Sequence, residues 1–163
     1  MSLAPDLAPH RDRFTSLSPE RAARWLEIFP PRTPPTHPAA LGMRLEEVRL
    51  DYARMRLPFR ADLIQPAGVV HGGVIAALID TVVVPALASP YDTFPGLLTI
   101  DLQVQYLGAV RGEDMIAEGW IVKRGRSIVF CRAEVLSASG ELVATGTLTY
   151  RVRPPQGDRP ISG

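Results

Sequence analysis

The sequence predicts an α+β domain in which a long antiparallel β-sheet wraps round one central helix. Two observations carry that prediction. Residues 72–88 are apolar on every side: Val74, Ile75, Leu78, Ile79, Val82, Val83, Val84 and Leu87 cover the whole circumference of a helix, which marks a helix enclosed rather than laid on a surface. Four strand-like runs follow at 97–106, 114–123, 127–137 and 141–151, parted by short turns, the pattern of an antiparallel meander. A helix without a polar face needs a cover, and strands of this length can curl round it.

The 163 residues divide into an arm, one domain and a tail. Residues 1–40 hold half of the sixteen prolines. Within this arm Ser18-Pro19 forms an N-cap and first-turn pair. It opens a short helix whose apolar face is Ala22, Trp25, Leu26 and Phe29, ended by Pro30-Pro31. An irregular linker over 30–38 follows. The arm is expected to be structural padding, with a lid over a binding pocket or a subunit contact as its functional alternatives. The domain spans 41–153 and starts with two extended segments, 43–50 and 52–57. Residues 60–70 form a loop into the helix, where Pro85 removes one hydrogen bond and predicts a kink or an early end. In 97–106, Ile100, Leu102, Val104 and Tyr106 alternate with Thr99, Asp101, Gln103 and Gln105, which places the two sets on opposite faces. Arg124-Gly125-Arg126 and Ser139-Gly140 mark hairpin turns. The tail, 154–163, is expected to be disordered.

Composition narrows the functional classes. A hydrophobic content of 46% supports a substantial core, and a net charge of +1 gives no reason to expect nucleic acid or an acidic membrane surface as partner. The apolar helix has only about sixteen residues, interrupted by Asp80 and Pro85, against the ~20 that a membrane span needs. Cys131, the one cysteine, excludes an intramolecular disulfide framework and any multi-cysteine metal site, and is read as a small buried apolar residue. It fits a reducing compartment. Pro5, Asp6, Pro9, Arg11 and Arg13 break any apolar signal-peptide core. The expected location is the cytoplasm.

The chemistry concentrates at 65–80, read as Gln-Pro-Ala-Gly-Val-Val-His-Gly-Gly-Val-Ile-Ala-Ala-Leu-Ile-Asp. Gly72 and Gly73 fall where the helix starts, so their N–H groups lack intrahelical partners and sit at its positive end. Asp80 is the one ionisable residue in the apolar run, and a buried carboxylate is costly unless paired or used. His71 and Asp80 are nine residues apart, hence roughly 180° round the helix and ~13 Å along it. If both ends of the motif serve one reaction, the carboxylate comes from a second copy, as a two-fold dimer would supply. There is no nucleophile elbow, phosphate loop or dinucleotide fingerprint. His10 and His37 lie in the arm, which leaves His71 as the domain's only histidine and makes a zinc site improbable. The inventory permits a metal-free hydrolase that uses a carboxylate.

The Gly-Val-Val-His-Gly-Gly-Val-Ile-Ala-Ala-Leu-Ile-Asp run resembles the signature of the hotdog-fold acyl-CoA thioesterases, in the branch that includes phenylacetate-pathway and 4-hydroxybenzoyl-CoA type enzymes. The resemblance covers 42–152 and is strongest at 65–80. It implies the hotdog fold, assembly as a homodimer or a dimer of dimers, an acyl-CoA substrate, and no cofactor beyond the coenzyme A of that substrate. It also implies roles. Asp80 is the nucleophile or the general base toward water, and the Gly72 N–H polarises the thioester carbonyl. His71 is a positioning residue. Gln65 stands where many members carry Asn and some Gln, to orient a water or bind the acyl carbonyl. Gly73 and Thr81 complete the substrate-binding set on the helix, although Thr81 varies among members and takes no direct catalytic role. The turn Lys123-Arg124-Gly125-Arg126-Ser127 lies near the CoA phosphates, whose oxygens suit arginine. The alternatives are a non-catalytic acyl-CoA-binding hotdog module and a hotdog dehydratase. The acyl class stays open among aromatic, medium-chain and long-chain groups.

Overall fold

The computed structural model describes residues 9–30, 36–157 and 161. Among the described residues six strands form one antiparallel sheet: β1 (Arg44–Arg49), β2 (Tyr52–Leu57), β3 (Gly96–Tyr106), β4 (Met115–Arg124), β5 (Ile128–Ser137) and β6 (Leu142–Arg153). Their spatial order is β1-β2-β4-β5-β6-β3. Only β4, β5 and β6 run as a simple meander. β3 is displaced to the far edge, where it pairs with β6, and β2 takes its place beside β4.

The central helix is preceded in the chain by α1 (Pro19–Ile28) and α2 (His37–Leu41); it is α3, Gly72–Ala88. It lies on the inner face of the sheet, and ten of its residues, from Ile75 to Ala88, are buried. The early end predicted at Pro85 does not occur. Ala86, Leu87 and Ala88 beyond it are fully buried, and that packing outweighs one missing hydrogen bond. Gly119 on β4 and Gly146 on β6 let the helix approach. A Cβ at Gly119 would stand 2.8 Å from Val82 Cγ1, and one at Gly146 would overlap Ile79 Cγ2. The helix is nevertheless not enclosed on every side within one chain. Gly73 is exposed, and Ala76, Ala77, Asp80 and Val84 are half-buried, so a stripe along α3 stays partly open.

Three further expectations change. Thr99 and Asp101 do not share a face. The β3–β6 register shifts between them, and the extra residue, Ile100, is 55% exposed while Thr99, Leu102 and Val104 are half-buried. A bulge of this kind moves every later side chain by one position. Leu26 is off the buried face of α1, which Trp25 and the C-cap Phe29 provide. The linker ends earlier than 38, because α2 starts at His37; residues 31–35 lie outside the described residues. Of the tail, 158–160 and 162–163 also lie outside them, and the Ile161 N–H donates to Pro90 O at 3.0 Å.

The arm divides between the two faces of the sheet: Trp25 of α1 packs on the side of α3, against Val48 and Ala88, while residues 10–14 cover the outer face. Phe14 stacks on Tyr52 at 5.3 Å and His10 on Trp120 at 4.2 Å. Beneath them lies Glu118, buried completely, whose Oε1 accepts from Tyr52 Oη at 2.6 Å and from the His10 N–H at 3.3 Å. Burial raises the Glu118 carboxyl above the usual carboxylate range, with the Tyr52 bond opposing. No described helix is long and apolar enough to cross a membrane.

Candidate active site

The loop before α3 is closed on itself, which fixes where the helix begins. Leu63 is buried as its anchor, and Ile64 bridges to Val70. The Gln65 N–H donates to Val69 O at 2.8 Å, and its carbonyl accepts from Gly68, which takes the left-handed φ of 76° that glycine permits. The His71 N–H then donates to Leu63 O at 2.9 Å. His71 is thereby delivered as the N-cap of α3, and its Nδ1 accepts from the Gly73 N–H at 2.9 Å. A helix start has four N–H groups without intrahelical partners. The imidazole satisfies Gly73, and the His71 carbonyl accepts from Val74 at 2.9 Å. Among the described residues the Gly72 N–H has no acceptor. Tyr106 covers this peptide from β3: its hydroxyl donates to Gly72 O at 2.9 Å. Its ring carbons would stand only 3.3–3.4 Å from a Cβ at position 72, so any side chain there displaces the ring.

Asp80 lies eight residues on, about 12 Å along the axis. Its carboxylate points at the β3–β6 edge. Tyr150 Oη donates to Asp80 Oδ1 at 2.6 Å and to Asp80 O at 2.9 Å, and Thr99 Oγ1 donates to the same Oδ1 at 3.1 Å. Tyr150 is 2% exposed. Burial pushes its hydroxyl far up, and the neighbouring Asp80 charge adds to the effect, so Tyr150 stays a protonated donor. Sequence reasoning missed both hydroxyls. The bulge hid Thr99, while Tyr150 left one usable signal: a phenol on the core side of β6 needs an acceptor, and Asp80 is the one carboxylate of α3.

The remaining predicted residues separate. Gln65 is half-buried beside the helix start, and its side-chain amide has no partner among the described residues. The Gly73 N–H is occupied by His71. Thr81 is 7% exposed, turned into the core and away from the open stripe. Arg124 is spent internally. Its guanidinium binds Asp51 Oδ1 through Nε and Nη2, reaches Leu87 O at 3.3 Å and lies 5.9 Å over the Tyr91 ring. Gly125 makes the tight turn by donating to Ile128 O at 2.9 Å, and the Ser127 carbonyl accepts from Val152 at 2.8 Å. Lys123 and Arg126 are exposed, and no ion pair to either is present among the described residues. Because Arg124 touches Leu87, fifteen residues past Gly72, the turn stands roughly 22 Å along the helix from the free N–H.

Chemically, one chain offers an unpaired N–H at the positive end of a helix and a carboxylate steadied on one oxygen, too far apart to act on one bond. Among the described residues no group of three or more His, Cys, Asp and Glu side chains could hold a metal ion.

A family model described as the thioesterase superfamily matches residues 67–144. An esterase-named protein of Halobacterium salinarum is 34% identical over 123 residues, which cover 69% of this chain and 81% of that one. The medium/long-chain acyl-CoA thioesterase YigI of Escherichia coli is 28% identical over 128 residues, 69% of this chain and 83% of YigI. The crystal structure of a Haemophilus influenzae thioesterase superposes with a TM-score of 0.72 at 23% identity, over 79% of this chain and 90% of that one. The chain belongs to the thioesterase superfamily and is a hotdog-fold thioester hydrolase.

Proposed function

We propose that the protein hydrolyses acyl-CoA thioesters to the free acid and coenzyme A, at a site built from Gly72 of one copy and Asp80 of a second. The carrying observation is the pairing of an unoccupied Gly72 N–H with a half-open Asp80 on the stripe of α3 that this chain leaves uncovered. A second copy laid along that stripe in a two-fold dimer brings each N–H toward the other copy's carboxylate. β3, at the sheet edge, offers the same copy an unpaired strand. The names of relatives such as YigI support the substrate class. The buried free thiol of Cys131 suits a cytoplasmic enzyme.

In this reading the Gly72 N–H binds the thioester oxygen and stabilises the charge it gains; such a donor is typically worth about 3–4 kcal/mol of barrier. Asp80 acts by one of two balanced routes. It takes a proton from water as the water oxygen bonds to the carbonyl carbon, then returns that proton to the departing sulfur. Alternatively its oxygen attacks the carbon, the thiolate leaves, and water opens the resulting anhydride. Label found in Asp80 after a single turnover in ¹⁸O-labelled water identifies the second route, in which water opens the anhydride at the Asp80 carbon. Lys123 and Arg126, rather than Arg124, are the cations of the basic turn free to meet the CoA phosphates.

The test is thiol release from phenylacetyl-, 4-hydroxybenzoyl-, hexanoyl- and palmitoyl-CoA by wild type and Asp80→Asn. Turnover of at least one ester, lost in the variant while the ester still binds, is the expected result. Tight binding without turnover by wild type replaces the enzyme with a binding module.

A further inference from the structure

We infer that Tyr150 is a positioning residue for the reaction: it clamps Oδ1 of Asp80 so that Oδ2 is the oxygen presented to substrate. The inference rests on the proposed role of Asp80 and goes beyond it by naming which oxygen works and what holds it.

Three observations point the same way. First, the bond is more than a buried phenol finding any acceptor. Tyr150 Oη already reaches the main-chain carbonyl of Asp80 at 2.9 Å, which alone would satisfy its one proton, and it sits still closer, 2.6 Å, to Oδ1. Second, both donors converge on one oxygen. Thr99 Oγ1 adds 3.1 Å to the same Oδ1, while Oδ2 has no donor among the described residues and is absent from the buried unsatisfied atoms. Third, the two donors form one cross-strand unit. Thr99 pairs with Tyr150 in the β3–β6 ladder, at the step just before the Ile100 bulge. That bulge allows Thr99 to face inward opposite Tyr150 while the strand continues to Leu102 and Val104 on the core side.

The physical consequence follows from how a carboxylate reacts. It takes a proton or attacks carbon through one oxygen, and free rotation of the side chain would scramble which one and at what angle. Two hydroxyls on Oδ1, one of them on a ring held in the core, remove that freedom before substrate arrives. Because the clamp touches neither the helix N-terminus nor the acyl group, it acts on turnover and leaves ground-state affinity alone.

The experiment compares wild type, Tyr150→Phe, Thr99→Val and the double variant on the ester that wild type cleaves best. It records kcat, KM, thermal midpoint, and the affinity for a CoA thioether that cannot be hydrolysed. Tyr150→Phe is expected to lose about ten- to a hundredfold in kcat, the scale of one hydrogen bond to a charged group, with KM and thioether affinity unchanged. Thr99→Val loses less. The double variant loses less than the product of the two, because either change already frees the carboxylate. A folded Tyr150→Phe that keeps its kcat, or loses activity only through KM, overturns the inference. If that variant does not fold, Thr99→Val decides: an unchanged kcat overturns the clamp and a kcat-only loss sustains it. Wild type silent on every ester refutes the thioesterase function itself, a distinct outcome that takes the clamp with it.

Discussion

Adding one methyl group at Gly119 is expected to lift the central helix off its sheet. The new Cβ would meet Val82 Cγ1 at 2.8 Å, Val82 backbone C at 3.0 Å and Val83 Cγ1 at 3.0 Å. A side-chain tip could swing aside, but the Val82 backbone belongs to a helix with ten buried residues, so the whole segment must move. Overpacking of this kind costs about 1–3 kcal/mol. An alanine also stiffens the unfolded chain, which returns roughly 0.4–1 kcal/mol. At the middle of both ranges the net loss is about 1.3 kcal/mol, or about 3–5 °C in thermal midpoint for a chain of this size. Wild type and Gly119→Ala are compared by thermal unfolding at matched protein concentration, since association with a second copy would shift both. Val82 is two residues from Asp80, so kcat should fall with the midpoint. A variant that melts with wild type and keeps its kcat would refute the claim that α3 presses on β4 here.

Other substitutions probe separate contacts. His71→Ala removes the cap on Gly73 and should cost about 0.5–2 kcal/mol in urea unfolding; a positioning residue leaves measurable turnover, whereas loss of all activity would make His71 the base. For Glu118 the direction of the shift sets the sign. Its folded carboxyl holds a proton more tightly than the unfolded one, so its contribution to stability is greatest at low pH and declines as pH rises from the usual carboxylate range through the raised folded value. Glu118→Gln should therefore gain stability relative to wild type at pH 8 compared with pH 4, and a difference that is flat with pH rejects the assignment. Burial pushes the Cys131 thiol up to about 12, so iodoacetamide at pH 8 should label unfolded protein only; rapid labelling of native protein would show that the thiol is accessible.

What the sequence disclosed, and what it hid, follows from the range of the interactions concerned. The limits of α3 and of most strands were legible because they depend on local features: the Gly72-Gly73 start, the apolar run, and turns at Gly125 and Gly140. Strand partners were not. Periodicity says that 96–106 is extended but not that its neighbour is β6 rather than β4, a choice made by tertiary packing. The Ile100 bulge is a local irregularity with no residue signature, and one unseen insertion exchanged the faces of Ile100 and Thr99 and so concealed Thr99. Asp80 and Gly72 stood out on residue type and position alone. For Arg124 the charge was visible in the sequence, but its partner Asp51, 73 residues away in the chain, was not.

The sheet order also dictates a schedule of assembly. β3 ends at Tyr106, yet the strand it zips against begins only at Leu142, so β4 and β5 are synthesised before the partner of β3 exists. Contacts that span so much chain are the slow ones in folding. On the ribosome, at about 5–20 residues per second, Thr99 and Asp80 are synthesised before Tyr150 exists to meet them. The hydroxyl that steadies the carboxylate arrives with the final strand of the sheet, so a chain that stalls early carries the signature motif without a finished site.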